Sequence, residues 1–251
     1  MMETALASPL GVFGREGIAE LRKNLRLPQF ALPTIITPAM FYGLFAVALN
    51  KGGPDAAAYS LATFGVFAAT GPALFGFGAG VAVERESGLI ELKRVSPLPA
   101  GAYVFAKLVS AGVMAAMALV LIYALALVGG VRLPLDQWAL LVLVHLLSVV
   151  PFALFGFAMG MRMGSKGAIA AANALYLGFS ILVGLWMPIT MLPAWMQQVA
   201  WVTPSFHLGQ LALAVIGVPP QGAVLAHLSA LVLITAAAGW LAVRGWRRSP
   251  A

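Results

Sequence analysis

The 251-residue chain is 61% apolar and only 9% charged, against about 45–50% and about 25% in ordinary soluble domains. So few charges cannot cover a water-exposed surface, which excludes a soluble globular fold, and the lack of cysteine excludes disulfides, thiolate metal sites and a cysteine nucleophile. The net charge of +7 comes from dispersed short basic segments rather than one block, which favours membrane orientation over nucleic-acid binding.

Apolar stretches near the roughly twenty residues that cross about 30 Å as a helix, without the alternation of barrel strands, predict an all-α membrane protein. Residues 1–29 form an N-terminal segment. Within it Ile18, Leu21 and Leu25 share one helical stripe, while Arg15, Glu16, Glu20, Lys23 and Arg26 occupy the rest of the circumference. This reads as an interfacial helix, with Pro28 turning the chain into the bilayer; a solvated helical leader is the plainer alternative. The segment lacks the short apolar core and small-residue cleavage site of a signal peptide and is expected to remain in the mature protein.

Residues 30–251 form one membrane domain with six expected spans, at about 30–49, 59–83, 108–128, 138–161, 167–187 and 223–243. An even count puts both termini on one side. Thirteen of the fifteen Lys and Arg fall on that side, leaving Lys51 and Arg132 on the other, so both termini are expected in the cytoplasm and the chain in the cell (inner) membrane. Trp138, Trp186, Trp195 and Trp201 then fall near the outer interface, and Trp240 and Trp246 near the inner one. Gly76, Gly78 and Gly80 in the second span and Gly156, Gly160 and Gly164 in the fourth have the small-residue spacing of close helix packing. The string Leu-Phe-Gly-Phe at 74–77 and again at 154–157 is taken as coincidence.

No phosphate loop, His-Glu-x-x-His or Gly-x-Ser-x-Gly motif occurs, so catalysis by this chain has no motif support. All eight acidic residues fall outside the expected spans, leaving no buried carboxylate for a proton relay. His145 is the only ionisable residue well inside an expected span. It reads first as a neutral, hydrogen-bonded core residue and second as a pathway ligand, and Asn173 reads likewise.

Two segments are informative. The first, from Glu84 through Pro99, is charged and carries a short helix over 87–95, with Leu89, Leu92 and Val95 on one side, Glu91 and Arg94 on others, and Pro97 stopping it. A solvated loop is the alternative. The second, 188–222, has five prolines and no Lys, Arg, Asp or Glu. Its stretches 192–202 and 206–216 are too short to span, at about 16 Å each, and suit helices that dip in and return.

The pattern Glu84-Arg85-Glu86-x-Gly88-x-x-Glu91-Leu92, followed by Ser96-Pro97-Leu98-Pro99, resembles the cytoplasmic signature of type-2 ABC exporter permeases, which include drug-resistance, glycan and lipo-oligosaccharide exporters. The order of features agrees along essentially the whole chain. The resemblance implies that 87–95 is a coupling helix seated in a separate ATP-binding subunit, with Glu84, Arg85, Glu86, Gly88, Glu91, Leu92, Arg94 and Pro97 transmitting motion. The charges would pair with that partner and Leu92 would pack on it. It also implies an outer gate built from two short re-entrant helices, with Pro193, Trp195, Trp201, Pro204 and Phe206. The chain departs from many relatives at Leu89, where they carry a small hydroxyl residue, and at Gln210-Leu211, where they carry a base.

The function so implied is the permease subunit of an ATP-driven exporter of an amphipathic or hydrophobic molecule or lipid. A glycan or lipid-linked glycan is the alternative cargo, and a secondary transporter or channel the alternative class. No cofactor is expected on this chain, with ATP and Mg on two partner ATPase subunits. The other expected partners are a second permease, the same chain or a similar one, and membrane lipid.

Overall fold

A computed structural model describes residues 9–96 and 98–248, and every regular element among them is helical. Helix α1, Pro9–Leu25, packs along α6, Ala100–Val128. The side it buries is not the apolar stripe: Gly17, Glu20 and Asn24 face the bundle, and Asn24 Nδ2 donates to Ser110 Oγ at 2.9 Å, while Ile18 and Leu25 are exposed. Ile18 and Leu25 thus point away from the bundle, with Leu21 half-buried between them.

Helix α2, Pro28–Tyr42, starts on a proline whose missing N–H is no loss at a first turn, and runs on through a π-helical turn, Gly43–Ala48. Asn50 shapes the reversal that follows, donating to Gly53 O at 2.7 Å and accepting from Gly52 N at 2.8 Å. Helix α3, Gly53–Ala73, continues through a π-helical segment, Leu74–Ala79, into α4, Gly80–Glu86. This rod is the core of the molecule, because α2, α6, α7 (Leu135–Leu147), α8 (Val149–Gly160) and α9 (Ser165–Leu182) all pack on α3, as does α11, Pro204–Val215. Helices α7 and α8 form one rod broken at Ser148, three residues before Pro151, which cannot donate to the helix ladder. Helix α12, Val224–Arg248, packs on α8 and α11.

Glycine lets α8 lie against the π-helical segment. A Cβ on Gly160 would stand 2.6 Å from the Gly78 carbonyl oxygen, and one on Gly156 3.0 Å from the Gly78 nitrogen, so close packing at this crossing requires hydrogen at both positions. The two Leu-Phe-Gly-Phe strings face each other here, with Phe77 and Phe157 rings 6.2 Å apart.

Among the described residues, five stretches are long and apolar enough to cross a membrane: Pro28–Ala48, Gly53–Glu86, Gly101–Val128, Leu135–Gly160 and Val224–Arg247. The fifth expected span, 167–187, is realised as the 18-residue α9 and is not among them. It ends earlier than expected, because the chain turns at Gly184 with φ +78°, and Lys166 and Asn173 lower its hydropathy. The third span begins sooner than expected, since helix extends back to Ala100. The short helix expected over 87–95 is α5, Leu89–Val95. The two short helices expected within 188–222 are α10, Ala194–Ala200, and α11. Trp186, expected at an interface, turns inward and stacks on Phe64 at 6.2 Å.

Candidate functional site

The ends of α1, α4, α5 and α12 and the starts of α6 and α9 gather most of the basic residues and form the basic end of the bundle. There α4 stops at Ser87, and Gly88 takes φ +73°, a left-handed conformation that glycine adopts without a Cβ clash. That residue swings the chain into α5.

The charges around this corner are engaged within the chain. Glu84 is buried, accepting from Lys23 at 2.5 Å, Lys107 at 3.1 Å and Tyr103 Oη at 2.7 Å. Glu20, also buried, accepts from Lys23 at 2.6 Å and from Lys107 at 2.9 Å. Two carboxylates and two ammonium groups thus form a neutral, interlocked cluster joining α1, α4 and α6. Buried carboxylates therefore exist, contrary to the expectation from sequence, and each is matched by a lysine. Burial opposes charge on Glu20, but Lys107 and Lys23 outweigh it and hold the carboxyl below its ordinary value. Burial likewise opposes charge on Lys23, and Glu84 and Glu20 outweigh it and raise the ammonium.

Arg85 donates to the carbonyls of Met161 and, at 2.8 Å, Met163, tying α4 to the turn after α8. Glu86 Oε1 accepts from Ser165 N at 2.9 Å, at the N-terminus of α9, where a carboxylate suits the unpaired N–H groups. Lys93 pairs with Glu16 at 2.8 Å. Arg94 lies over the Trp246 ring at 4.2 Å and donates to its carbonyl at 3.1 Å. One carboxylate oxygen of Glu91 is buried with no hydrogen-bond partner among the described residues. Pro97 lies outside the described residues. Helix α5 buries Ile90 and turns out Leu89, Leu92 (64% exposed) and Val95 (84% exposed), three apolar residues at i, i+3 and i+6 on a surface otherwise rich in charge.

The opposite end is built without ion pairs between its own segments, since residues 188–222 contain no charged side chain. Pro193 and Pro204 open α10 and α11, and Thr203 Oγ1 accepts from Phe206 N at 3.4 Å as the N-cap of α11. Helix α11 is buried from Pro204 to Leu213. Helix α10 is open on one face, with Trp195 exposed, and Trp201 just beyond it is exposed too. Phe206, placed with the gate residues, is buried against Trp201 at 5.2 Å. Two histidines complete this cluster. His207 Nδ1 and His227 Nδ1 are 2.9 Å apart, and Trp201 stacks on His227 at 5.3 Å. Sequence reasoning missed the pair, because nothing local joins residues twenty positions apart across a Pro-Pro turn.

His145 is fully buried over Gly65, its Nε2–H donating to Ala62 O at 3.0 Å and its Nδ1 accepting from Tyr123 Oη at 3.0 Å. Both ring nitrogens are satisfied in the neutral form. Asn173 is exposed, donates to Ile169 O at 2.9 Å within α9, and lines a cavity of about 690 Å³ near the basic end. The cavity lies between α2, the π-helical segment and α9. Its walls are mainly apolar (Phe30, Pro33, Phe75 and Ile169), with Lys23, Glu84 and Asn24 at one side.

Residues 18–244 match the model of a family described as ABC-2 family transporter protein. The chain is similar to "Putative transport permease YvfS" of Bacillus subtilis (strain 168), with 28% identity over 204 residues that cover 80% of this chain and 83% of that one. The match over nearly the whole length, together with the helical membrane fold, makes the chain a member of the ABC-2 transporter family, an integral membrane transport subunit of the permease type.

Proposed function

We propose that the chain is the membrane subunit of an ATP-driven exporter, two permeases working on two ATP-binding subunits. In this reading it crosses the cell (inner) membrane six times, with α9, about 27 Å long, as the fifth crossing. The basic end and both termini lie in the cytoplasm, and α1 lies in the inner interface with Ile18 and Leu25 toward lipid.

One observation carries the reading: α5 presents Leu89, Leu92 and Val95 to solvent while Arg85, Glu86, Lys93 and Arg94 are engaged by the rest of the same chain. A short helix rigidly held from behind and apolar in front suits a push-rod seated in a partner's groove. The role of the charges differs from the one the family resemblance implies. They hold the corner to α8, α9 and α12, and the apolar face makes the contact. When ATP draws the ATPase pair together, α5 moves. Helix α4 passes the movement into the core rod, and the Glu20–Lys23–Glu84–Lys107 cluster carries α1 and α6 along. The α10–α11 hairpin then opens at the other end.

The apolar cavity with a polar side supports an amphipathic or hydrophobic cargo. Exposed Trp195 and Trp201 favour a glycan as the second reading, since indole faces stack on sugar rings. A tagged chain purified in mild detergent is expected to bring down an ATP-hydrolysing subunit in roughly equal amount and to lose it when Leu89 and Leu92 are both changed to Asp. A well-folded chain that retains no ATPase would overturn the reading and favour a secondary transporter or channel.

A further inference from the structure

We propose that His207 and His227 together form a proton-binding site that latches the α10–α11 hairpin to the head of α12. The site rests on its donors and acceptors alone, independently of the export function.

His207 Nε2 lies 2.9 Å from the Trp201 carbonyl oxygen, and His227 Nε2 lies 2.9 Å from the Gln221 carbonyl oxygen. A carbonyl oxygen only accepts, so each Nε2 must carry a hydrogen. A neutral imidazole has one N–H, which leaves both Nδ1 atoms as bare acceptors, yet they face each other at 2.9 Å. Two lone pairs at that distance repel. The geometry is satisfied when a third proton sits between them, giving Nδ1–H⁺···Nδ1 and a pair charge of +1. With two protons the pair must leave one of its three contacts unmade; with three it makes all of them.

The contacts are the ones that fasten the hairpin. His207 stands in the first turn of α11, and its partner carbonyl belongs to Trp201 in the turn between α10 and α11. His227 stands in the first turn of α12, and its partner carbonyl belongs to Gln221 in the loop between α11 and α12. Gln210 Oε1 accepts from Gln221 N at 2.7 Å, holding that loop onto α11. Both imidazoles are fully buried, and Trp201 and Phe206 enclose them, with Phe206 5.6 Å from His227. Trp201 and Val202 are themselves exposed, so only one side chain separates the pair from the molecular surface, the route for the proton.

The site is otherwise uncharged. The titratable and charged groups on the elements packed against it are Asp55 and Tyr59 on α3, Asp136 and His145 on α7, and Arg244, Arg247 and Arg248 near the other end of α12. Helices α8 and α10 have none. No hydrogen bond or ion pair joins any described one of these groups to the pair, so no carboxylate supplies the countercharge. Burial opposes a charge here and pulls His207 below the ordinary imidazole value. The third proton therefore arrives on the acid side of neutral pH. The sign follows: the latch tightens as the medium bathing that end acidifies and loosens as it becomes neutral.

Nitrogen-15 NMR of the histidine-labelled chain in detergent tests this directly, with resonances assigned from His207→Gln and His227→Gln. The expected result is a pair that gains one proton in a single shared step, with both Nδ1 signals moving together. Hydrogen exchange over residues 204–215, corrected for intrinsic rates, is expected to slow about tenfold between pH 8 and pH 5, the worth of one charge-assisted hydrogen bond. Either Gln variant is expected to abolish that pH slope. Two rings that titrate independently, or variants that lose protection uniformly while keeping the slope, would overturn the proposal.

Discussion

The two ends of the bundle each fasten a short helix to the core, and they do so with opposite chemistry. At the basic end α5 is held by the Lys93–Glu16 ion pair and by Arg94 on Trp246, and the α4 that leads into it by an interlocked cluster of Glu84, Glu20, Lys23 and Lys107, balanced two against two, with Glu84, Glu20 and Lys107 buried. At the other end α11 is fixed by aromatic packing, a threonine cap and imidazole–carbonyl bonds, with no carboxylate, lysine or arginine in the segment. A buried ion pair is stable while all its members remain and fails abruptly when one is lost. A neutral cluster yields gradually, contact by contact. In the export mechanism proposed above, the first construction suits the end that transmits force as a unit, and the second the end that opens.

That contrast can be broken most severely at Glu84. Replacing it with Ala leaves Lys107 buried with half its partners and is expected to remove about 3–5 kcal/mol of stability, read as a lower thermal midpoint in detergent. The double variant Glu84→Gln, Lys107→Gln should recover part of that loss. Gly160→Ala drives a methyl toward the Gly78 carbonyl and is expected to cost about 1–3 kcal/mol as overpacking of the α8 crossing.

Thr203→Ala removes the cap of α11 together with the hydroxyl's bond to the Ala200 carbonyl, with an expected loss of about 1 kcal/mol, read as faster hydrogen exchange over 204–207. Smaller still is the effect of Leu92→Asp on stability, within about 0.5 kcal/mol because the side chain is exposed. The same change should greatly weaken ATPase capture, so a stable variant that still captures the ATPase would remove the push-rod role from α5.

Acidity sharpens the comparison. The Glu20 carboxyl is held below its ordinary value, so its contribution is complete above that value and disappears as pH falls through the lowered one. Lys23 is raised, so its contribution is complete below the ordinary lysine value and disappears as pH climbs through the raised one. The anchoring of α1 is therefore expected to stay flat between those limits, measured as proteolytic protection of residues 9–25. The α11 hairpin should vary with pH within the same range. Reversing Glu91 and Arg94 together should leave insertion intact and abolish transport.

Much of this was legible from residue order. The apolar runs located the helices, and the Glu84–Leu92 pattern placed the corner and its short helix within two residues, because periodicity and a glycine between charged turns are local signals. The cluster was not legible, since Lys107 reaches Glu84 from the start of another long helix and Glu20 from a segment that looked independent. Helix α1 shows the same limit. Its apolar stripe is plain in the sequence, but only packing reveals that the opposite face, through Asn24 and Glu20, holds it to α6. The meeting of His207 and His227 was not legible either, because it depends on how the Pro-Pro turn folds back.

Composition and hydrophobic pattern alone determined that this chain is helical and embedded in a membrane, because lipid leaves a backbone few ways to satisfy its hydrogen bonds. Tertiary structure decided which charges meet. Coulomb attraction between buried groups acts over a few ångströms of space, and separation along the chain says nothing about it.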